Sequence, residues 1–314
     1  MEPANIVLTV IFSVLVVVGV VGNTLVCFVI VHYRDMKNSM NYLLLNLAIA
    51  DLLTVLFISP QYVFKHAFIH PRGTAGDYLC KFITGGNLSW IGGVVSAITL
   101  VAIAIERYYA VMYPHRQSKF TGKVLIITLV MSWVGAFAFN SPLFFVIHYD
   151  PNQDFCVEKW PETFHAIIYT CAWFVFVGIF PVLTLVILYS RIVYWLWFRK
   201  DDEGVAGVAP ERLAVKRVRK KVTKMVIIVS FIYVMCWFPP LTNYLLSYAD
   251  SDSSFGDLVY VITIVFVTLN STVNPVIYSF QNERFRKHLK QLVFRRRGRV
   301  MPGELQERNQ GSRG

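Results

Sequence analysis

The stretch NIVLTVIFSVLVVVGVVGNTLVCFVIVH, residues 5–32, contains no Asp, Glu, Lys or Arg. A helix crosses the hydrocarbon core of a bilayer with about 20 consecutive apolar residues, so this stretch predicts a transmembrane helix. Six further apolar segments follow it, at residues 40–67, 79–112, 123–147, 164–197, 220–248 and 256–279. The fold class predicted from this pattern is an all-α membrane protein, a seven-transmembrane helix bundle.

Basic residues lie almost entirely on one side of this alternation. Of the 30 Lys and Arg, 26 lie in the connections 33–39, 113–122 and 198–219, the adjoining helix ends and the tail after residue 280. The other side holds Lys65, Arg72, Lys81 and Lys159. With acids included, the first side carries a net charge of +17 and the second −5. Because cytoplasmic loops are enriched in Lys and Arg, we expect the N-terminus outside and the C-terminus inside.

The composition excludes several classes of protein. Hydrophobic residues make up 55% of the chain, charged residues 16%, and the mean hydropathy is +0.52, which favours a lipid-solvated bundle. The net charge of +11 is explained by sided membrane loops, so we expect no nucleic-acid partner. The first five residues, MEPAN, carry no positive charge, so we expect no signal peptide and a ligand that enters the bundle itself. No nucleophile–base pair or phosphate loop stands out, and no enzymatic activity is expected.

Asp51 lies inside the second apolar segment, where a charged carboxylate costs about 2.5–3.5 kcal/mol. Its candidate partners at similar depth all carry side-chain oxygens; they are Asn23, Ser96, Asn270, Ser271 and Asn274. One carboxylate with hydroxyl and amide oxygens suits a small hard cation such as Na⁺. The alternative is a carboxylate held by structural hydrogen bonds alone.

At the inner end of the third segment, Glu106, Arg107 and Tyr108 are consecutive. Arg107 is either an anchor at the membrane interface, where basic side chains collect, or a switch. As a switch, it would pair with Glu106 at rest and release when a partner docks. The three residues alone favour neither interpretation.

Prolines lie inside the fifth, sixth and seventh segments. Pro239 follows Trp237 in CWFPP, Pro275 follows Asn274 in NPVIY, and Pro181 lies in the fifth segment. A proline inside a helix removes a backbone hydrogen bond and bends the chain, so kinks are expected. Trp237, a large aromatic beside such a bend, is either a lever or plain packing.

Taken together, these residues resemble class A, rhodopsin-like, G-protein-coupled receptors over the entire bundle. The matching residues are Gly22-Asn23, Leu47-Ala48-x-x-Asp51, Glu106-Arg107-Tyr108 with Ala110-Val111 and Pro114, Trp133, Pro181 and Tyr189, Cys236-Trp237-x-Pro239, and Asn274-Pro275-x-x-Tyr278. The resemblance implies a plasma-membrane receptor that passes extracellular ligand binding to a heterotrimeric G protein. It implies a sodium pocket of Asp51, Ser96, Asn270, Ser271 and Asn274. It also implies an activation switch of Glu106, Arg107, Tyr108, Tyr189, Trp237, Pro239, Asn274, Pro275 and Tyr278.

The chain departs from the usual pattern of that family at several positions. Ala97 and Tyr233 stand where the family commonly has Ile and Phe. Cys80 lies two residues further from Arg107 than is usual, which indicates a bulge. Glycine pairs that could form it are Gly85-Gly86 and Gly92-Gly93. The register of the outer half of the third helix stays open.

The five cysteines divide into two groups. Cys27, Cys171 and Cys236 lie within apolar segments and are expected to be inert thiols. Cys80 and Cys156 both lie on the outer side, where the environment is oxidising, so we predict a disulfide between them. Two free thiols are the alternative.

The absence of certain residue types limits the class of ligand that the chain can bind. No Lys occurs between Lys224 and Lys287, which excludes retinal, and no acid occurs from Leu79 through Ile105, which argues against small amines. The outer side is acidic, with Asp150, Asp154, Glu158, Glu162, Asp250, Asp252 and Asp257. Such a field attracts cations, so we predict a short neuropeptide, cationic or amidated. The alternatives are a merely solvated acidic rim, a lipid or other small-molecule ligand, and a seven-helix transporter or channel using Asp51.

The ligand pocket is predicted from depth along the segments. Residues in the outer halves are Gln61, Tyr62, Ser89, Trp90, Trp173, Trp237, Asn243, Tyr244 and Thr268. Such a mixture of aromatic and amide side chains suits a peptide terminus. Each of them could equally be a packing or interface residue.

The cytoplasmic end adds one more element. Residues 283–294, ERFRKHLKQLVF, place Phe285, Leu289 and Leu292 on one face, which predicts an amphipathic eighth helix on the membrane. The receptor domain is thus predicted to span residues 1–294, and residues 295–314 to be a disordered cytoplasmic tail. The basic run 216–224 is either a solvated helix end or a G-protein contact.

Overall fold

The computed structural model describes residues 3–64, 67–113, 122–198, 210–248, 258–281 and 283–293, with the backbone alone for 3–5, 210–216, 278–281 and 293. Its helices are α1 (Pro3–His32), α2 (Ser39–Tyr62), α3 (Thr74–Met112), α4 (Gly122–Val146), α5 (Thr163–Phe198), α6 (Pro210–Leu246), α7 (Leu258–Gln281) and α8 (Glu283–Val293). Helices α1–α7 are each long and apolar enough to cross a membrane. The predicted seven-transmembrane bundle with an eighth helix is confirmed.

Helix α3 is the centre of the bundle. Buried residues make up 72% of its most apolar stretch, against 28% in α1 and 17% in α4. It packs against α2, α4, α5 and α6, while α7 closes the ring between α6 and α1. The exposed residues of the peripheral helices are apolar, such as Val17 in α1 and Ile126 in α4. These faces suit contact with lipid, since the hydrocarbon region solvates apolar side chains.

The outer half of α3 contains a bulge. Cys80–Thr84 forms a wide π turn, and regular helix resumes at Asn87. Between them, Gly86 has a φ of +79°, and a Cβ on Gly85 would lie 2.4 Å from the Cys80 carbonyl oxygen. Only glycine fits these two positions without strain. The extra length between Cys80 and the inner end of α3 is accommodated here, which answers the question of register.

A hydrogen bond joins α5 and α6 at Tyr233, one of the positions where the chain departs from the family pattern. A π turn at Phe174–Ile179 precedes Pro181 in α5. The hydroxyl of Tyr233, which is fully buried in α6, donates a hydrogen bond of 2.6 Å to the carbonyl oxygen of Val177 in that turn. The tyrosine therefore satisfies a backbone acceptor that the irregular helix presents.

A short β-hairpin lies at the outer end of the bundle. Strands β1 (Ile147–Asp150) and β2 (Phe155–Glu158) pair antiparallel. A disulfide joins Cys156 in β2 to Cys80 in the π turn of α3, so this prediction is confirmed. The hairpin was not predicted from the sequence. The disulfide fixes it against α3, at the side of the bundle from which a ligand would enter.

Helix α8 packs through the face that its apolar spacing predicted. Phe285 is buried, and Leu289 and Leu292 pack against the same core. His288 Nε2 lies 2.9 Å from Asp35 Oδ2 in the turn between α1 and α2. The helix is thus attached to the inner end of α1 by apolar and polar contacts.

Candidate functional site

A cavity open to solvent, with about 440 Å³ of empty space including its open part, lies in the outer half of the bundle between α3, α4, α5, α6, α7 and the hairpin. It is lined by Trp90, Leu143, Glu158, Trp173, Trp237, Pro240, Leu241, Tyr244, Tyr260 and Ile264. Four residues predicted to contact a ligand, Trp90, Trp173, Trp237 and Tyr244, are among them. An apolar, aromatic cavity with a few polar groups is the usual form of a small-ligand or peptide-terminus site.

Three tryptophans form much of the wall. The ring of Trp173 lies edge-on to Trp90, with centroids 6.1 Å apart, and stacks on Trp237 at 6.4 Å. Trp237 is 2% exposed and is the innermost of the α6 residues that line the cavity. Its indole N–H has no hydrogen-bond partner among the described residues. An unpartnered buried donor facing a cavity is available to a ligand or to water.

Trp237 depends on a close approach of α3 and α6. A Cβ on Gly93 would lie 2.4 Å from the Cη2 atom of its ring, so only glycine leaves room for the indole in this position. Gly92 makes the matching approach to α2, where a Cβ would lie 2.6 Å from the carbonyl oxygen of Ala50. These glycines bring the helices together rather than forming the bulge.

Glu158 is the one charged residue among the described residues of the lining. Its carboxylate accepts hydrogen bonds from the Trp160 indole at 2.8 Å, the Tyr244 hydroxyl at 2.9 and 3.0 Å, and the Tyr248 hydroxyl at 2.9 Å. Burial raises the pKa of Glu158 above its ordinary value, against the lowering effect of these three donors. The sequence analysis placed this residue in the acidic rim. The signal that could have found it is its position two residues after Cys156, because alternate strand residues share a face.

The other residues predicted to line the pocket do not border this cavity. Ser89 and Thr268 are buried and donate to the carbonyl oxygens of Thr54 and Ile264, each at 2.9 Å. Asn243 precedes Tyr244 and is therefore rotated about 100° around the helix from it. One reason explains all three. The position of a residue along its segment predicts how deep it lies in the membrane, but it does not predict which way its side chain points around the helix axis.

Gln61 and Tyr62 lie at the end of α2. Gln61 borders a second cavity of about 320 Å³, together with His70, Tyr149 and Asp154. Tyr62 stacks on Phe12 of α1 with ring centroids 4.7 Å apart. His70 also lies near the two sulfurs of Cys80 and Cys156, but these sulfurs are joined in the disulfide and offer no thiolate to a metal.

Asp51 is fully buried in the middle of the bundle. Ser96 donates to its Oδ1 at 3.1 Å, Asn274 donates to its Oδ2 at 2.8 Å, and Ser271 donates as well. The Oδ1 of Asn274 is buried without a partner among the described residues. A carboxylate, two hydroxyls and an unsatisfied amide oxygen form a donor set that fits a hard cation. Asn270 is buried nearby, with no hydrogen bond to Asp51 in the described contacts.

At the inner end of α3 the side chains of Arg107 and Glu106 form an ion pair and are 15% and 9% exposed. Tyr108 is partly buried beside them. The buried hydroxyl of Tyr189 in α5 accepts a 3.3 Å hydrogen bond from Ser230 in α6. This arrangement agrees with the resting form of a switch, in which the arginine is held by its neighbour.

The remaining residues of the predicted switch lie in helix interiors. Pro239 is in α6, and Pro275 in α7 follows Asn274 of the Asp51 cluster. The backbone of Tyr278 continues α7, and its side chain lies outside the described residues, as do Asp250, Asp252 and Asp257 of the acidic rim. The side-chain contacts of the switch within the described residues therefore belong to α3, α5 and α6.

The comparisons with known proteins agree with this geometry. The family described as 7 transmembrane receptor (rhodopsin family) matches residues 22–278. Galanin receptor 2b of Danio rerio is 30% identical over 303 residues, covering 93% of this chain and 76% of that receptor. Neuropeptide FF receptor 2 of Mus musculus is 31% identical over 290 residues, covering 86% and 68%. A QRFP-like peptide receptor of Branchiostoma floridae is 30% identical over 319 residues, covering 97% and 82%.

Proposed function

This chain belongs to the rhodopsin family of seven-transmembrane receptors, and on that premise we propose that it passes the binding of an extracellular peptide to a heterotrimeric G protein at the plasma membrane. The observation that carries the proposal is the outer cavity, because its inner boundary is Trp237 of α6. A ligand in the cavity would touch the helix whose inner part borders Tyr189 and the Arg107 region. A single continuous helix therefore connects the ligand site to the cytoplasmic face.

A short peptide with a cationic or amidated end fits the cavity better than a lipid or another small molecule. The printed names of the relatives include neuropeptide FF and QRFP-like peptide receptors. The outer side carries a net charge of −5, and Glu158 brings one of those charges into the cavity. Aromatic walls with one carboxylate suit a terminus that combines apolar and cationic groups. An aliphatic lipid would leave the negative charge of Glu158 uncompensated.

Activation would change the populations of two packings of the bundle. In the resting packing Arg107 is paired with Glu106, and Tyr233 and Ser230 of α6 are bonded to α5. A ligand that favours another position of Trp237 would favour another position of α6. Turning a 1:99 mixture of packings into 99:1 requires about 5.5 kcal/mol of differential binding. The prolines near Trp237 reduce the helical hydrogen bonds that oppose bending there.

Asp51, Ser96, Ser271 and Asn274 would hold a sodium ion. A bound cation supplies a positive charge that neutralises the buried carboxylate and satisfies the free oxygen of Asn274. The protein side chains join α2, α3 and α7 at this point. The ion would therefore stabilise the packing in which these three helices converge.

The N-terminus is proposed to lie outside the cell. The sided distribution of Lys and Arg supports this orientation. The disulfide supports it as well, because the hairpin end of the bundle then faces the oxidising side of the membrane. The ligand cavity and the disulfide lie at that same end.

The test is agonist-stimulated GTPγS binding in membranes from cells that express the chain with each class of G protein. A library of short peptides with free or amidated C-termini supplies the ligands. We expect at least one peptide to stimulate nucleotide exchange, and Arg107→Ala to abolish the stimulation while surface expression is retained. Failure of the whole library, together with basal exchange that Arg107→Ala leaves unchanged, would overturn the proposal.

A further inference from the structure

We propose that Glu158 is the counter-ion for one cationic group of the ligand, a guanidinium or an ammonium, held in the outer cavity against the tryptophans. The inference rests on the proposed receptor function and names the residue that would select the charge of the ligand. Among the lining residues that the structure describes, Glu158 is the single carboxylic acid, and the others carry no charge.

The carboxylate of Glu158 has hydrogen bonds but no compensating charge. Its donors are the neutral groups of Trp160, Tyr244 and Tyr248. Among the described residues no Lys, Arg or His forms an ion pair with it, and the neighbouring Lys159 is exposed. A partly buried carboxylate without a counter-ion retains a strong attraction for a cation, because neutral donors do not cancel its charge.

The geometry leaves one carboxylate oxygen available. Oε2 accepts from all three donors, whereas within the described part of the chain Oε1 accepts only the shared hydroxyl of Tyr244, at 3.0 Å. A carboxylate oxygen has room for about two hydrogen bonds, so Oε1 can accept another from the cavity. A guanidinium or ammonium group supplies such donors together with the missing charge.

The aromatic wall favours the same kind of group. Trp90, Trp173 and Trp237 border the cavity with indole rings, whose faces attract cations. Such a contact contributes most where water is excluded, as it is beside the 2% exposed Trp237. A flat guanidinium can stack on a ring and donate in its own plane, so it satisfies both features at once.

The position of Glu158 also connects ligand charge to α6. Tyr244 and Tyr248, which hold the carboxylate, both belong to the outer end of α6 or the turn that follows it. Tyr244 lies seven residues, about two turns, after Trp237 on the same face. A cation that binds Oε1 competes with the Tyr244 hydroxyl for this acceptor oxygen and thereby changes how the hairpin holds α6.

A direct test uses benzamidine, an aromatic cation, and benzamide, its neutral isostere, with the full-length protein purified in detergent. Benzamidine is expected to raise the thermal unfolding midpoint of the wild type more than benzamide does. Glu158→Gln should remove this difference, and Glu162→Gln, which removes an exposed acid from the same side, should retain it. Equal midpoint shifts by the two probes, or a benzamidine preference that survives Glu158→Gln, would overturn the proposal.

Two further variants separate charge recognition from a purely structural role. Tyr248→Phe removes one donor but keeps the carboxylate, so the benzamidine preference should persist. If it is lost as completely as in Glu158→Gln, the carboxylate acts only as a structural link, and the proposal fails. If Glu158→Gln does not fold, benzamidine and benzamide are compared on the wild type and on Tyr248→Phe. A benzamidine preference in both supports the proposal, and its absence from either contradicts it.

The receptor assay distinguishes this proposal from the proposed function. Arginine-containing peptides that stimulate GTPγS binding should lose about 30-fold or more in potency when arginine is replaced by neutral citrulline. On Glu158→Gln the arginine and citrulline peptides should be nearly equal. Equal potency on the wild type would refute the counter-ion but leave the receptor function intact. Benzamidine selectivity without any peptide response would refute peptide signalling but leave the cation site intact.

Discussion

The oxygen atoms around Asp51 predict a specific response to sodium. The thermal unfolding midpoint of the purified wild type should be higher in NaCl than in KCl at equal ionic strength. At a sodium concentration ten times the dissociation constant, the stabilisation is about 1.4 kcal/mol. Asp51→Asn removes the charge and retains the shape, so the two salts should then give equal midpoints. A wild type that is indifferent to the choice of salt would mean that Asp51 is held by hydrogen bonds alone.

Glu158 predicts a pH dependence for cationic ligands. Burial raises its pKa above its ordinary value, so its carboxyl begins to protonate at a higher pH than an exposed glutamate would. A cation binds the ionised form, so its potency should fall as the pH is lowered through this raised pKa. The tyrosines that interact with Glu158 are Tyr169, Tyr244, Tyr248 and Tyr260, and phenols are neutral over this range of pH.

The measurement is the potency of an arginine-containing peptide and its citrulline analogue between about pH 7.5 and 5. Only the arginine peptide should weaken with falling pH, and only on receptors that retain Glu158. His148 on the paired strand lies 3.2 Å from Asp77. An unchanged pH profile in Glu158→Gln would contradict the assignment of the pH dependence to Glu158.

Individual residues were predictable where the membrane makes them unusual. A carboxylate in an apolar helix, such as Asp51, is expensive and therefore conspicuous, and the structure brings Ser96, Ser271 and Asn274 to it. Glu158 was not conspicuous, because acids outside the hydrocarbon region are common. Ser89 and Trp90 show a second limit: they are adjacent in sequence, yet one faces α2 and the other the cavity.

At the scale of helices, glycines set the distance between α3 and α6. Gly93→Ala would place a methyl group against the ring of Trp237 and displace it, at a cost of about 1–3 kcal/mol. The variant should lower the thermal midpoint and reduce peptide potency. Gly135→Ala is the matched control, since a Cβ there meets nothing within 4 Å. It should be neutral or stabilising by up to about 1 kcal/mol, because alanine favours the helix. Equal effects of both substitutions on peptide potency would contradict the close approach.

The helices were predictable as elements because each must be apolar over the thickness of the bilayer. Their ends were less so: α2 ends at Tyr62 rather than 67, and α6 begins at Pro210 rather than 220. The inner end of α6 is polar, so the hydropathy of the sequence does not show that the helix already begins at Pro210. The hairpin was missed because four-residue strands in a membrane loop carry little periodic signal.

At the scale of the whole molecule, the disulfide joins the ligand site to the bundle. Cys156 is two residues from Glu158 in β2, and Cys80 belongs to the bulge of α3. Without this bond the hairpin would lose its covalent attachment, and Glu158 would no longer be held over the cavity. The closed loop spans 76 residues, and in the chain-entropy model its closure stabilises the fold by roughly 4 kcal/mol.

We therefore expect lower surface expression in Cys80→Ala, in Cys156→Ala and in the double variant. Each variant should also reduce the potency of an arginine peptide more than that of its citrulline analogue. The unequal loss is expected because the charge contact requires Glu158 to be fixed, whereas the aromatic wall belongs to the helices. Cys171→Ala is the control, since this free cysteine is exposed on α5 and should leave both measurements unchanged. The two single variants should match the double variant, because each already breaks the bond. Normal surface expression with unchanged potency would show that the hairpin holds its position without the disulfide, through its contacts with α3 and α6.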